Sequence, residues 1–156
     1  MSFSPQSKVW VYQSNRKFTS DEVQAIRKRL DTFLSQWTAH GQALKAKAEI
    51  VHDFFIVLVV DEASASATGC SIDASVRVIK EIEQEYQVDL FDRFNMAYKV
   101  NDVVVVATKE DFQTLVDIKA VGPETIVFNN LVTTLEEFES KWEVPFGQSW
   151  HAKVFA

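Results

Sequence analysis

The chain has 156 residues, with 16 Lys and Arg against 22 Asp and Glu, giving a formal charge of −6 at pH 7. It is 47% apolar and 24% charged, the composition of an ordinary globular protein, and its length suits a single domain over residues 1–156 that folds without disulfides or metals. The acidic balance argues against a general nucleic-acid binder, because phosphate affinity comes mostly from clustered Lys and Arg.

The densest basic cluster, Arg27-Lys28-Arg29, has acidic neighbours and reads as the solvated face of a helix. A single cysteine, Cys70, excludes an intramolecular disulfide and suggests a reducing compartment. The first residues, MSFSPQSKVW, show no basic segment followed by an apolar one, as a signal peptide would. The longest apolar run, Phe54 to Val60, is far short of the ~20 residues that span a bilayer. The expectation is therefore a cytoplasmic protein with neither membrane nor nucleic acid as partner.

In chain order, KVWVYQ at Lys8 to Gln13 is β-branched and aromatic and predicts a first strand. Thr19 and Glu22 have the spacing of a capping box, flanked by Phe18 and Val23 at staple positions. Val23, Ile26, Leu30, Phe33, Leu34 and Trp37 then recur at helical spacing, predicting a helix from about Ser20 to Thr38 that Gly41 ends. Ala43 to Val51 alternates, with Lys45, Lys47 and Glu49 on one side, as expected of a half-exposed edge strand. His52-Asp53 connects it tightly to Phe54–Asp61, which is apolar throughout and must be covered on both faces.

The loop of small residues at 63–69, ASASATG, leads into a helix with Ile72, Val76, Ile79, Ile82 and Tyr86 on one side. VDLFDRFN reads as irregular, and Met96 to Lys99 with Asp102 to Ala107 as a hairpin turning at Val100-Asn101. Thr108 with Asp111 resembles a cap for a short helix, Gly122-Pro123 marks a turn, and Thr125 to Phe128 a further strand. Thr133 or Thr134 caps a last helix carrying Leu135, Phe138 and Trp142, which Pro145 terminates, and the aromatic end packs down.

The order β-α-β-β-α-β predicts an α+β, ferredoxin-like core with a C-terminal β-α extension and a mixed or antiparallel sheet. In that arrangement the first and third strands are central and the second lies at an edge. The remaining sheet face is too apolar for water, so either the C-terminal helices or a second copy of the chain should close it. Self-association as a homodimer is therefore one expected partnership.

Four features could carry chemistry. Cys70 stands where a helix should begin, with Ser71 as N-cap and Asp73 in the first turn, and a helix N-terminus favours a thiolate. Any base for it among His40, His52 and His151 would have to arrive through the fold. Residues Thr68, Gly69 and Ser71 offer a small-residue turn of the kind that holds anions through backbone N–H groups. The G-x-x-x-x-G-K-[ST] pattern is absent there, so no Walker-type nucleotide site is implied. Asp61, Glu62 and Asp73 could face a hard cation, but such carboxylates are more often solvated or capping, and no metal or cofactor is assigned. The turn WTAHG, with His40, and the terminal Trp150-His151 pair could each line a pocket, as could Arg93 between its aromatic neighbours in FDRF.

The motifs WTAHG, FFIVLVVDE, ATGCSID, LFDRF, IVFNNLVTTLEEFESKWEVPF and SWH resemble those of a small family of bacterial proteins without an assigned activity, often labelled ABC transporter ATPases. The resemblance covers nearly the whole chain and implies no catalytic residues. The ATPase label does not fit a chain that lacks a Walker A motif and an ABC signature. The expected function is binding, of a protein partner or a small ligand. The alternatives are a thiol-dependent enzyme or redox protein using Cys70, and an anion site at Thr68–Ser71.

Overall fold

A computed structural model describes residues 2–63 and 65–156; Met1, and Ser64 within the expected small-residue loop, lie outside the described residues. The chain opens with β1 (Lys8–Gln13) and α1 (Ser20–Gln36). Thr19 Oγ1 accepts from the Glu22 N–H and the Glu22 carboxylate accepts from the Thr19 N–H, so the expected capping box is formed. Helix α1 ends at Gln36 rather than Thr38. Trp37 leaves the helix because its indole N–H reaches the Ser71 carbonyl at 2.8 Å, a buried bond that a further helical turn would preclude.

The next two strands are short, β2 (Thr38–Ala39) and β3 (Gln42–Ala43). His40 and Gly41 form the turn between them, with φ of 52° and 78°. Gly41 therefore serves a left-handed hairpin turn and not the helix end expected of it. The alternating segment forms β4 (Lys45–Val51), two residues shorter at its start than predicted. His52 and Asp53 turn with positive φ into β5 (Phe55–Asp61), every residue of which is buried.

Helix α2 (Gly69–Tyr86) follows, then β6 (Asn95–Val100) and β7 (Val103–Thr108). Their hairpin turns at Asn101-Asp102, one residue later than expected, because both turn positions have positive φ, which Asn and Asp tolerate and a valine does not. The chain continues through α3 (Lys109–Asp117), capped by Thr108, β8 (Ile126–Phe128), α4 (Leu135–Lys141), capped by Thr134, β9 (Glu143–Pro145) and the terminal α5 (His151–Val154). Pro145 ends β9; α4 has already stopped at Lys141. None of the described helices is long and apolar enough to cross a membrane.

The α+β class is as expected, and the sheets are antiparallel. The first sheet has the order β1-β5-β4, the first three strands of the ferredoxin-like order. The correction concerns the fourth strand. Instead of pairing with β1, β6 enters a second sheet of order β7-β6-β8-β9, so β1 is an edge strand rather than a central one. The reason lies in burial. Ile56 and Leu58 of β5 pack with Ile26, Leu30, Ile79 and Ile82 of the two long helices. Phe55, Val57 and Val59 face the other way, onto Ala97 and Val104 of the second sheet and onto Phe128, Leu135 and Trp142. The second sheet is thus the roof of β5. The face for which a second copy of the chain was one candidate cover is closed from within.

The outer face of the second sheet is covered in turn. Met96 and Val127 pack with Phe112, Phe146 and Phe155, so the aromatic C-terminal segment does pack down. The layers run helices, sheet, sheet, helices.

Arg16 links the two long helices. Its guanidinium makes two 2.8 Å bonds to the Glu22 carboxylate and donates to the Tyr86 carbonyl at the end of α2. The Arg16 guanidinium and the Thr19 N–H hold the Glu22 carboxyl down to about 2, against its ordinary 4.5. The stabilisation is therefore complete above the ordinary value and disappears as pH falls through the depressed one. Glu22→Gln is expected to cost about 1–2 kcal/mol at neutral pH. In urea denaturation from pH 7 down to pH ~2 the gap between variant and parent should close at the acid end. A gap independent of pH would contradict the ion-paired role.

Candidate functional site

A partly enclosed cleft opens where the two sheets meet beyond the end of β1. Its volume is about 200 Å³, and it is lined by Val11, Gln13 and the 90–93 loop, by Asn95, Met96 and Ala97 of β6, by Phe128, Asn130 and Leu131, and by Trp150 and His151. Each wall is held by local bonds. The Leu90 N–H donates to the Glu83 carboxylate at 2.7 Å, and Asn15 and Asp89 exchange bonds across to β1. Asp92 accepts from the Phe94 N–H at 2.8 Å and from the Asn95 side chain at 3.2 Å. These contacts fix the irregular VDLFDRFN segment as an ordered wall.

A chain of amides crosses the floor. Gln13 Nε2 donates to the Asn95 carbonyl at 3.0 Å, Asn130 Nδ2 donates to Gln13 Oε1 at 2.9 Å, and the Trp142 indole donates to Asn130 Oδ1 at 2.8 Å. Each primary amide carries two N–H groups, so Gln13 and Asn130 each keep one beyond those bonds. Gln13 is only 8% exposed.

The third wall is the terminal SWH. His151 is 2% exposed, and its Nδ1 lies 2.6 Å from Ser149 Oγ. Burial pushes the imidazole down to about 4, so it is neutral at pH 7. Its Nε2 has no hydrogen-bond partner among the described residues. The Trp150 ring stacks on it at 3.8 Å between centroids, and the buried Trp150 indole N–H is likewise unpartnered. At the mouth, Arg93 is exposed and pairs with no carboxylate among the described residues. Phe91 and Leu131 flank it, Leu131 being 64% exposed. Chemically, the cleft combines apolar walls, amide N–H donors, the Arg93 cation and the Asp92 carboxylate, which is engaged with the Phe94 N–H and the Asn95 side chain.

The residues singled out in the sequence fall into two places. Arg93 is at the cleft. Thr68, Gly69, Cys70 and Ser71 stand together at the start of α2, and Trp37 ties the hairpin that carries His40 to the same end. The N-cap there is Thr68, not Ser71. Ser71 is the third residue of the helix, and its hydroxyl accepts from the Thr68 N–H at 2.7 Å while Thr68 Oγ1 accepts from the Ser71 N–H. Two of the N–H groups an anion would use are thereby occupied within the capping box, and the Glu62 carboxylate accepts a third, from Ala67, at 2.8 Å.

Cys70 is an exposed thiol, and no hydrogen bond joins it to a histidine among the described residues. Asp73 is exposed beyond the first turn of α2. Asp61 accepts from the Ser4 and Ala63 N–H groups and pairs with Lys45; Glu62 pairs with Lys8. Among the described residues no group of three His, Cys, Asp or Glu side chains is placed to hold a metal.

The sequence reading offered the Trp150-His151 pair as a pocket lining but did not select Gln13 or Asn130 for the site. Gln13 and Asn130 are 117 residues apart and meet only through the fold. Comparisons with protein-family models, with curated proteins and with solved structures find no match.

Two outcomes follow. His151 accepts a proton more readily unfolded, near 6.5, than folded, near 4, so stability should fall as pH drops through that window. The loss should be on the order of 3 kcal/mol by its lower end, and His151→Gln should flatten it, as read by thermal melts against pH. Iodoacetamide should label Cys70 in the folded protein, and Cys70→Ser should change stability by less than about 0.5 kcal/mol. A thiol that reacts only in denaturant would contradict its surface position.

Proposed function

We propose that this protein works by binding, and that its ligand is a small organic anion with an apolar body, held in the cleft at the sheet junction. One observation carries the reading. Gln13 and His151, both more than nine-tenths buried, and Trp150 line the same cleft as Arg93, which pairs with no carboxylate among the described residues. Gln13 and Asn130 each keep an amide N–H beyond their bonds to one another and to Asn95, and a ligand acceptor could use these. Donors prevail among the free groups, which favours a carboxylate or another oxygen-rich group on the ligand. Leu90, Phe91, Met96 and Leu131 suit an aliphatic or aromatic remainder. At about 200 Å³ the cleft is smaller than the ~300–1,000 Å³ of drug-sized sites, so the ligand is small.

The thiol-enzyme and phosphate-loop alternatives draw no comparable support. Cys70 has no base bonded to it, and the Thr68–Ser71 turn is engaged in its own cap. A cytoplasmic setting accords with an exposed free thiol, since reducing compartments keep such groups unoxidised.

A thermal-shift series with benzoate, phenylpyruvate and hexanoate, each beside its neutral amide, tests the reading. At least one acid, at about a hundred times its Kd, should raise Tm by several degrees, and its amide should not. Arg93→Ala and Gln13→Leu should each abolish the shift. If no acid stabilises the protein, or if the shift survives both substitutions, the reading fails.

A further inference from the structure

The outer edge of β1 offers a second kind of site. Its inner edge pairs with β5 along the whole strand. On the outer side, among the described residues, the isolated bridge between Lys8 and Thr134 closes one end, with the Val9 N–H donating to the Thr133 carbonyl at 3.0 Å, and past the other end the Asn15 N–H donates to the Asp89 carbonyl at 3.2 Å. In an antiparallel ladder successive residues present their N–H and C=O groups to alternate sides, so Val11 and Gln13 present theirs on the same side as Val9. No strand pairs with them among the described residues. This is the position a fourth strand would take had β6 joined the first sheet.

The edge is also unprotected. The opposite edge strand, β4, carries Lys45, Lys47 and Glu49, whereas the outer rim of β1 has no proline and Lys8 is its one charge. It forms the floor of a groove of about 720 Å³, walled by Ile72 and Val76 of α2 on one side and by residues 130–134 on the other. The charged residues lining this groove are Lys8, which Glu62 pairs with at 3.4 Å, and Arg93, which pairs with no carboxylate among the described residues, in a protein of net charge −6.

We propose that this edge docks an extended, acidic peptide segment, which joins the first sheet as a fourth strand. Its backbone pairs with Val11, alternate apolar side chains lie against Ile72 and Val76, and its carboxylates face Arg93. A second copy of the chain is the less fitting occupant, because edge-to-edge pairing of two β1 strands would bring the two Arg93 cations to the same stretch. The inference stands apart from the small-ligand reading. The groove shares Arg93 and Leu131 with the cleft, but strand addition needs the backbone of β1 and not the amide floor.

Fluorescence anisotropy with a fluorescein-labelled (Glu-Val)₃ hexapeptide tests it. Saturable binding is expected, and should be lost when alternate peptide nitrogens on the pairing side are methylated. A (Lys-Val)₃ peptide should not bind. Val11→Pro removes the outward N–H and should weaken binding about three- to tenfold. Arg93→Glu, on the surface, keeps the test sound if the proline variant misfolds, and should weaken binding about fivefold, less so in high salt. Gln13→Leu, which disables the small-ligand cleft, should leave most peptide affinity in place, so the two readings can fail separately. Absence of saturable binding below about 1 mM, equal binding of the lysine or methylated peptide, or indifference to both Val11→Pro and Arg93→Glu would overturn the proposal. So would light scattering that shows a dimer dispersed by either substitution, since the edge would then be occupied by a second copy.

Discussion

Burial of β5 on both faces is the constraint from which the rest of the structure follows. All seven of its residues are buried, and five of them are Ile, Leu or Val. A strand of that composition needs an apolar layer above and below, since each exposed large side chain would give up about 1.5–3 kcal/mol of transfer free energy. Helices α1 and α2 supply one layer. The second sheet supplies the other, and it can do so only because β6 leaves the edge of β1 and turns with β7 into a sheet of its own.

That choice creates both surfaces of functional interest. Moving β6 away leaves the outer rim of β1 without a ladder partner, and it leaves a seam where the two sheets meet. Seams collect polar groups from chain ends and loops, because regular hydrogen bonding stops there. Here the seam receives the last residue of β1, the loop after β8 and the C-terminal turn. Their amides satisfy one another in a line from Asn95 to Trp142. The imidazole of His151 remains neutral within it, since burial disfavours an imidazolium. Arg93 at the mouth pairs with no carboxylate among the described residues.

The start of α2 illustrates how the same residue types can serve structure. Small and hydroxyl residues after a strand resemble an anion cradle in sequence. In the fold they close on themselves, with Thr68 and Ser71 capping each other, Ser71 buried and its carbonyl receiving the Trp37 indole. The polar capacity that would greet a ligand is instead used to fasten the 37–43 hairpin to the helix. Cys70, next in line, projects from this junction without joining it.

Local order was legible in the amino-acid sequence because its causes are local. The Thr19–Glu22 capping box, the apolar periodicity of α1 and α2, the continuous apolar run of β5 and the caps at Thr108 and Thr134 each act within a few residues. Turn centres were less legible, since a shift of one residue at Asn101-Asp102 changes only which side chains must adopt positive φ. The partner of β6 was not legible at all. A strand reads the same whether it extends one sheet or begins another, and the decision rests on which surface most needs covering once helices and hairpins exist. The cleft shares that fate in part: the Trp150-His151 pair stood out in the sequence, but Gln13 and Asn130 are unremarkable in their own neighbourhoods, and only the packing of the two sheets sets them around one space with it.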